Sequence, residues 1–128
     1  MHILLIDDER TFLDTLIVRL RMRGIVADGV DSGEKGLQAM RTKVYDAVVL
    51  DVSMPGMDGV ATLRELKHIN PEVPVIMLTG HATLETADNG MDLGAFDYMM
   101  KPCPIDELLD KVSEAIRSRG KGGEASPG

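Results

Sequence analysis

The sequence predicts a single α/β domain in which five parallel strands alternate with five helices that cover both faces of the sheet. Short apolar runs bounded by turn residues recur along the chain, as expected of strands buried on both faces of a parallel sheet. Segments with apolar residues at helical spacing lie between these runs. The 128 residues suffice for one core, and the 44% of hydrophobic residues favours a packed domain over a disordered chain.

The first predicted strand, 2–6, is followed directly by two carboxylates, Asp7 and Asp8. The helix after it ends at Gly24, because glycine commonly follows the last helical turn. The buried face of this helix is predicted to carry Phe12, Leu13, Leu16, Ile17 and Leu20.

A weaker second strand, 25–30, contains Asp28 and Gly29, which favours a position at the edge of the sheet. Ser32 is a suitable N-cap for the second helix. The residues of this helix that are predicted to face the core are Leu37, Met40 and Val44.

The third strand, 46–51, is an apolar run that ends abruptly in Asp51. Open α/β sheets bind ligands at the carboxyl ends of their strands, so Asp51 is a candidate nucleophile or ligand for a hard cation. Asp58 is predicted to cap the third helix, which ends before Pro71. This helix is predicted to bury Val60, Leu63, Leu66 and Ile69.

The fourth strand, 73–80, carries Thr79 at its carboxyl end. The helix after it is predicted to begin near Thr83 and to be short or distorted. It contains the triplet Asp-Asn-Gly at 88–90, whose glycine alone costs about 1 kcal/mol. The fifth strand is predicted at 95–100.

The last helix opens at Pro104, after a short connection that contains Lys101 and Pro102. Its inner face is predicted to carry Ile105, Leu108, Leu109, Val112 and Ile116. The composition then changes to Gly, Ser, Pro and charged residues. We therefore expect the domain to cover residues 1–119, with 120–128 as a disordered tail or the start of a linker.

Charge and composition argue against several classes of partner. The net charge of −7, from 14 basic and 21 acidic residues, disfavours a nucleic-acid-binding surface. No apolar run approaches membrane-spanning length, and the N-terminus does not resemble a signal peptide. The single cysteine, Cys103, excludes an internal disulfide and fits a reducing cytoplasm. We expect a cytoplasmic chain that itself binds neither nucleic acid nor membrane.

The candidate site residues follow four different strands but share one edge of a parallel sheet. Around one crevice we expect Asp7, Asp8, Asp51, Thr79 and Lys101. Three close carboxylates repel one another unless a cation compensates, and oxygen ligands without His or Cys favour Mg²⁺. A divalent ion and an ammonium group neutralise a transferring phosphoryl group, so the crevice suits formation of an acyl phosphate on Asp51.

As a set, these motifs resemble the response-regulator receiver domains of two-component signal transduction, over residues 2–117. The motifs that carry the resemblance are Asp7-Asp8, Asp51 followed by Pro55 and Gly59, Thr79, and Lys101-Pro102. The resemblance implies a (βα)5 doubly wound, flavodoxin-like three-layer αβα sandwich with strand order 2-1-3-4-5.

The resemblance also implies roles for the acidic residues. Asp51 is similar to the family's phosphoacceptor. The Mg²⁺ ligands would be Asp8, Asp51 and the backbone carbonyl of Ser53, with Asp7 acting mostly through water. Mn²⁺ or Ca²⁺ can take the place of Mg²⁺ in a crystal.

Further roles follow from the same resemblance. Lys101 is similar to the phosphate-pairing lysine, and its bond to Pro102 is expected to be cis. Thr79 resembles the switch hydroxyl that moves onto the phosphate, and Tyr98 resembles the aromatic residue that turns inward as it moves. An ordinary strand-end hydroxyl and a static half-buried aromatic residue remain the alternative interpretations. The positions that tune phosphate lifetime in the family are Ser53 and His81.

The predicted function is a phospho-acceptor switch. The phosphoryl group would come from a phosphohistidine of a sensor histidine kinase or from a phosphotransfer protein. The domain would promote its own phosphorylation and dephosphorylation without acting on other substrates. Phosphorylation would alter the face made by the fourth helix, fifth strand and fifth helix, which would bind an unknown downstream effector or a second copy in a homodimer.

Two other classes of function stay open. A small phosphatase with an aspartyl-phosphate intermediate usually carries a second acid two residues after the nucleophile, where this chain has Ser53. A pure interaction module would ignore phosphorylation, and the intact set of site residues argues against it. The sequence also leaves open whether this is a stand-alone receiver or part of a longer regulator.

Overall fold

The strands predicted from the sequence form one parallel sheet in the order β2-β1-β3-β4-β5. In this computed structural model, residues 1–52, 59–80 and 90–125 are described, with side chains as far as Arg119. The strands are β1 (His2–Ile6), β2 (Val26–Val30), β3 (Ala47–Asp51), β4 (Val75–Thr79) and β5 (Asp97–Met100). The predicted fold class and strand order are confirmed, with β2 at an edge.

Helices lie on both faces of this sheet. Those described are α1 (Arg10–Met22), α2 (Gly33–Thr42), α3 (Gly59–Ile69) and a C-terminal helix (Ile105–Ala125), together with a helical turn at 90–92. Ser32 caps α2 as predicted, because its hydroxyl accepts a hydrogen bond from the backbone N–H of Lys35 at 3.2 Å. Gly24 follows α1 with a φ of +77°, a conformation that favours glycine.

Alternate residues of the strands face opposite layers of the core. On β1, Leu4 and Ile6 belong to the layer under α2 and α3, whereas Ile3 and Leu5 belong to the layer under α1 and the C-terminal helix. Full burial of one such side chain contributes about 2 kcal/mol. The two layers together produce the predicted three-layer sandwich, with polar residues left at the strand ends.

One prediction of burial, for a residue between α2 and β3, is wrong. Val44 is 80% exposed, and Tyr45 beside it is buried instead. The helical spacing that predicted a buried Val44 does not apply, because α2 ends at Thr42 and Lys43 is extended. The Tyr45 hydroxyl donates a hydrogen bond of 2.7 Å to Asp28, which satisfies its polar group in the core.

Two glycines lie where helical backbone comes close to β4 or to the residue that follows β3. A Cβ atom at Gly59 would collide with the backbone of Val52, the residue after Asp51. A Cβ atom at Gly90 would collide with the end of the buried Met77 side chain. The glycine at 90 thus lies in close contact with the end of the Met77 side chain, which the sequence pattern did not reveal. The predicted start and shape of this fourth helix, at 83–89, lie outside the described residues, as does the predicted cap at 58.

The C-terminal helix begins directly after Pro104, as predicted, and its backbone continues to Ala125. The predicted boundary between residues 119 and 120 thus falls within a helix and stays a prediction. Within the described part of the chain, no helix has both the length and the hydropathy needed to cross a bilayer.

Candidate functional site

Four polar side chains meet at the carboxyl edge of the sheet. Asp51 and Thr79 are the last residues of β3 and β4, while Asp7 and Lys101 directly follow β1 and β5. Because these strands pair in parallel, their carboxyl ends lie at one edge of the sheet. The predicted convergence of these residues therefore follows from the strand order.

A cluster of three carboxylates forms the centre of this edge. Asp7, Asp8 and Asp51 each offer one carboxylate oxygen, and these oxygens lie within 4.8 Å of one another. Asp7 and Asp51 are buried, whereas Asp8 is exposed. Three oxygen ligands beside an open side fit a hard divalent cation such as Mg²⁺, which keeps several of its waters. The donor set thus fits the predicted ion.

The ammonium group of Lys101 lies against the same carboxylates. Its Nζ atom is 2.7 Å from Asp7 Oδ2, 2.8 Å from Glu9 Oε1 and 3.2 Å from Asp51 Oδ2. Only 8% of the Lys101 side chain is exposed. Burial alone would lower the pKa of Lys101, but its contacts with Asp7 and Glu9 outweigh that effect and raise the pKa. Lys101 therefore remains a cation next to Asp51.

Asp7 is held in the cluster by a backbone hydrogen bond and an ion pair. Its Oδ1 accepts a hydrogen bond from the backbone N–H of Glu9 at 2.8 Å. Its Oδ2 has the ion pair with Lys101 but no hydrogen-bond partner of good geometry among the described residues. Burial, and secondarily the charge of Asp51, raises the pKa of Asp7 against the opposing effect of its polar contacts. The ionised cluster is therefore short of positive charge, as expected of a cation site.

We expect the Asp7→Asn substitution to stabilise the metal-free protein increasingly as the pH rises above 3.8, the ordinary pKa of Asp. A carboxyl group whose pKa is raised by folding binds protons more tightly in the native state, so its favourable contribution is lost as the pH rises through the folded pKa. Denaturant unfolding of both proteins in the presence of a chelator, from pH 4 upward, measures this difference. A constant difference across that range would contradict the prediction.

The two residues predicted to act as a switch lie at neighbouring strands. Thr79 is buried, and its backbone carbonyl accepts a hydrogen bond from the N–H of Lys101 at 2.9 Å. Tyr98 pairs in register with Met77 on β4 and is 37% exposed. The ring of Tyr98 is therefore in an exposed position here. The Lys101–Pro102 peptide bond is cis.

Two predicted site residues lie outside the described residues. They are Ser53, including its backbone carbonyl, and His81. Their predicted roles as metal ligand and as positions that tune phosphate lifetime stay predictions.

Two residues at the site were not assigned a role from the sequence. Glu9 contacts the Lys101 ammonium, and the ring centroid of Phe12 lies 4.5 Å from Lys101 Nζ, within reach of a cation–π interaction. In the structure Glu9 lies at the N-cap of α1 but makes no capping hydrogen bond with its side chain, which contacts Lys101 instead. No signal in the sequence indicated this contact.

Comparisons with known proteins agree on one family. The sequence profile described as "response regulator receiver domain" matches residues 3–113. The transcriptional regulatory protein ZraR of Escherichia coli is 38% identical over 116 residues, which cover 91% of this chain and 26% of ZraR. The chain thus spans about a quarter of the length of this relative.

Solved structures give the same result. A response regulator receiver domain protein from Clostridium thermocellum has a TM-score of 0.86 and 36% identity, covering 93% of this chain and 96% of that one. A CheY-like receiver domain protein from Methanospirillum hungatei has a TM-score of 0.90 and 28% identity, covering 94% and 96%. Both similarities extend over nearly the whole chain.

Proposed function

Because this chain belongs to the response regulator receiver domains, we propose that it is a Mg²⁺-dependent phospho-acceptor switch with Asp51 as the acceptor. The observation that carries the proposal is the position of the Lys101 ammonium, 3.2 Å from Asp51 Oδ2 in a cluster of three carboxylates. A buried carboxylate between a lysine and a candidate cation site is a nucleophile whose charge, and the charge it acquires on reaction, are both compensated.

The proposed reaction is transfer of a phosphoryl group to a carboxylate oxygen of Asp51. That oxygen attacks phosphorus and forms a P–O bond, while the bond between phosphorus and the histidine nitrogen of the donor breaks and the nitrogen keeps the electron pair. Lys101 pairs with a phosphoryl oxygen. Asp8, Asp51 and the Ser53 carbonyl would hold the cation, with Asp7 acting mostly through water, and the cation would supply further positive charge for the phosphoryl oxygens.

The proposed output begins at Thr79 and Tyr98. The Thr79 hydroxyl moves toward the phosphoryl group, and the exposed Tyr98 ring turns inward into the space that this vacates. Tyr98 and Met100 line the sheet side of a groove of about 530 Å³ between β5 and the C-terminal helix. Inward rotation of Tyr98 would remove an aromatic side chain from this groove, and so change the surface offered to a partner.

The proposed partners follow from this chemistry. A sensor histidine kinase or a phosphotransfer protein supplies the phosphoryl group. A downstream effector, or a second copy of the chain, binds the face that includes β5 and the C-terminal helix. The relative ZraR is a transcriptional regulatory protein by name, which supports the proposal that the downstream output of this chain is the regulation of transcription. The proposed location is the cytoplasm.

Mass spectrometry after treatment with acetyl phosphate tests the proposal. We expect one phosphoryl group per chain in the presence of Mg²⁺, mapped to Asp51 by peptide analysis after borohydride reduction. Removal of divalent cations with a chelator is expected to prevent the modification, because the carboxylate cluster then lacks its compensating charge. A phosphoryl group on another residue, or equal modification without divalent cation, would contradict the proposal.

A further inference from the structure

We infer that Glu9 is a positioning residue that competes with the incoming phosphoryl group for the Lys101 ammonium and so slows phosphorylation of Asp51. This inference rests on the proposed function of Asp51. Glu9 Oε1 lies 2.8 Å from Lys101 Nζ, closer than the 3.2 Å between that atom and Asp51 Oδ2. The resting ammonium is therefore drawn partly away from the acceptor.

The backbone fixes the position of Glu9. Its N–H donates to Asp7 Oδ1 at 2.8 Å, and its carbonyl accepts the hydrogen bond from the Leu13 N–H at 2.9 Å that begins α1. Its side chain makes no capping hydrogen bond to that helix, although it lies at the N-cap. The carboxylate instead contacts Lys101, a residue 92 positions away in the chain. This contact is thus a feature of the site rather than of the helix end.

The donors of Lys101 are limited. A lysine ammonium has three N–H donors, and three carboxylates, those of Asp7, Glu9 and Asp51, surround it here. A phosphoryl group on Asp51 adds oxygens that need the same donors. Lys101 must then loosen one of its present contacts.

Exposure decides which contact is released. The side chains of Asp7 and Asp51 are 4% and 2% exposed, so loss of the ammonium would leave either charge buried. The Glu9 side chain is 63% exposed and can return to water at little cost. Glu9 is therefore the partner that Lys101 leaves during phosphorylation, and the strength of their contact opposes the reaction.

Two substitutions distinguish the effect of the Glu9–Lys101 contact from the effects of net charge and of the helix cap. Glu9→Gln removes the charge, and Glu9→Asp keeps it but shortens the side chain by one methylene, which withdraws the carboxylate from Lys101. Asp is a favoured N-cap whereas neither Glu nor Gln is, so Glu9→Asp should stabilise the start of α1 and Glu9→Gln should not. Glu65→Gln, on the exposed face of α3, is the matched control for the loss of one negative charge.

The measurement is the initial rate of Asp51 phosphorylation by acetyl phosphate at saturating Mg²⁺, followed by intact-protein mass spectrometry. We expect Glu9→Gln and Glu9→Asp both to react roughly five-fold faster than wild type, the rate equivalent of about 1 kcal/mol for a partly exposed ion pair. Glu65→Gln is expected to react at the wild-type rate. Acceleration in both Glu9 variants, despite different changes in their unfolding free energies, would support the inference.

Other results would overturn it. Equal or slower phosphorylation of Glu9→Gln would show that Glu9 does not compete for Lys101. A wild-type rate in Glu9→Asp would assign the effect to distant charge, and an equal gain in Glu65→Gln would assign it to net charge.

In a Lys101→Met background, Glu9→Gln should give no further acceleration, and a persisting gain would contradict a mechanism through Lys101. If wild type acquires no phosphoryl group on Asp51, the proposed function fails as well, whereas unchanged Glu9 variants of a phosphorylated protein refute the inference alone.

Discussion

Asp51→Asn is expected to lower the rate of phosphorylation by acetyl phosphate more than about 100-fold, because an amide lacks the nucleophilic oxygen on which the acyl phosphate forms. The fold should survive the substitution. Asp51 raises the pKa of Asp7 through like-charge repulsion, so its neutralisation relieves one unfavourable interaction in the buried cluster. Phosphorylation measured by mass spectrometry should disappear while the unfolding free energy is maintained or increased.

Asp14→Asn supplies the matched control for this experiment. Asp14 is an exposed residue of α1, and the substitution makes the same chemical change outside the carboxylate cluster. We expect it to be phosphorylated at the wild-type rate. Phosphorylation of Asp51→Asn at a rate similar to that of Asp14→Asn would show that the acceptor is a different residue.

The fold was predictable because its signals are repeated along the chain. Apolar runs such as 2–6 and 46–51 are too short for helices and lack polar alternation, which is the pattern of strands covered on both faces. Once the strands are parallel, the residues after them must meet at one edge. The position of Lys101 beside Asp51, 50 residues earlier in the chain, therefore follows from topology rather than from any local pattern.

The features that sequence reasoning missed depend on where elements end and on side-chain reach. Val44 was predicted to be buried because helical spacing was extended two residues beyond Thr42, and the burial of Tyr45 was missed for the same reason. The contact of Glu9 with Lys101 requires the N-cap conformation of Glu9 and its hydrogen bond to Asp7. Neither can be read from residue type alone.

The buried Lys101 ammonium is the group on which both the folded cluster and its chemistry depend. It contacts three carboxylates and lies over the Phe12 ring, with 8% of its side chain exposed. Removal of one partner from a buried ion pair is strongly destabilising, because the other charge is left without compensation. The same positive charge is needed by the phosphoryl group in the transition state. One substitution should therefore affect stability and reactivity together.

Lys101→Met preserves most of the side-chain length and removes the charge. We expect it to lower the rate of Asp51 phosphorylation on the order of 100-fold, the typical effect of losing one preorganised electrostatic contact to a reacting group. We expect it to lower the unfolding free energy of the metal-free protein at neutral pH by about 3 kcal/mol. Lys43→Met is the control, because the Lys43–Asp28 pair is an exposed contact at 3.2 Å and is worth at most about 1 kcal/mol.

The pH dependence of Lys101→Met distinguishes lost charge compensation from lost packing. The Lys101 contact lowers the pKa of Asp7 in the wild-type protein, so its removal should let burial and Asp51 raise that pKa further. A carboxyl group of raised folded pKa stabilises the native state more as the pH falls through that pKa. The stability deficit of Lys101→Met relative to wild type should therefore shrink as the pH is lowered toward 4, and it should also shrink when Mg²⁺ is added at neutral pH. A deficit that is constant under both changes would mean that Lys101 contributes through its aliphatic stem, and that the carboxylates do not depend on its charge.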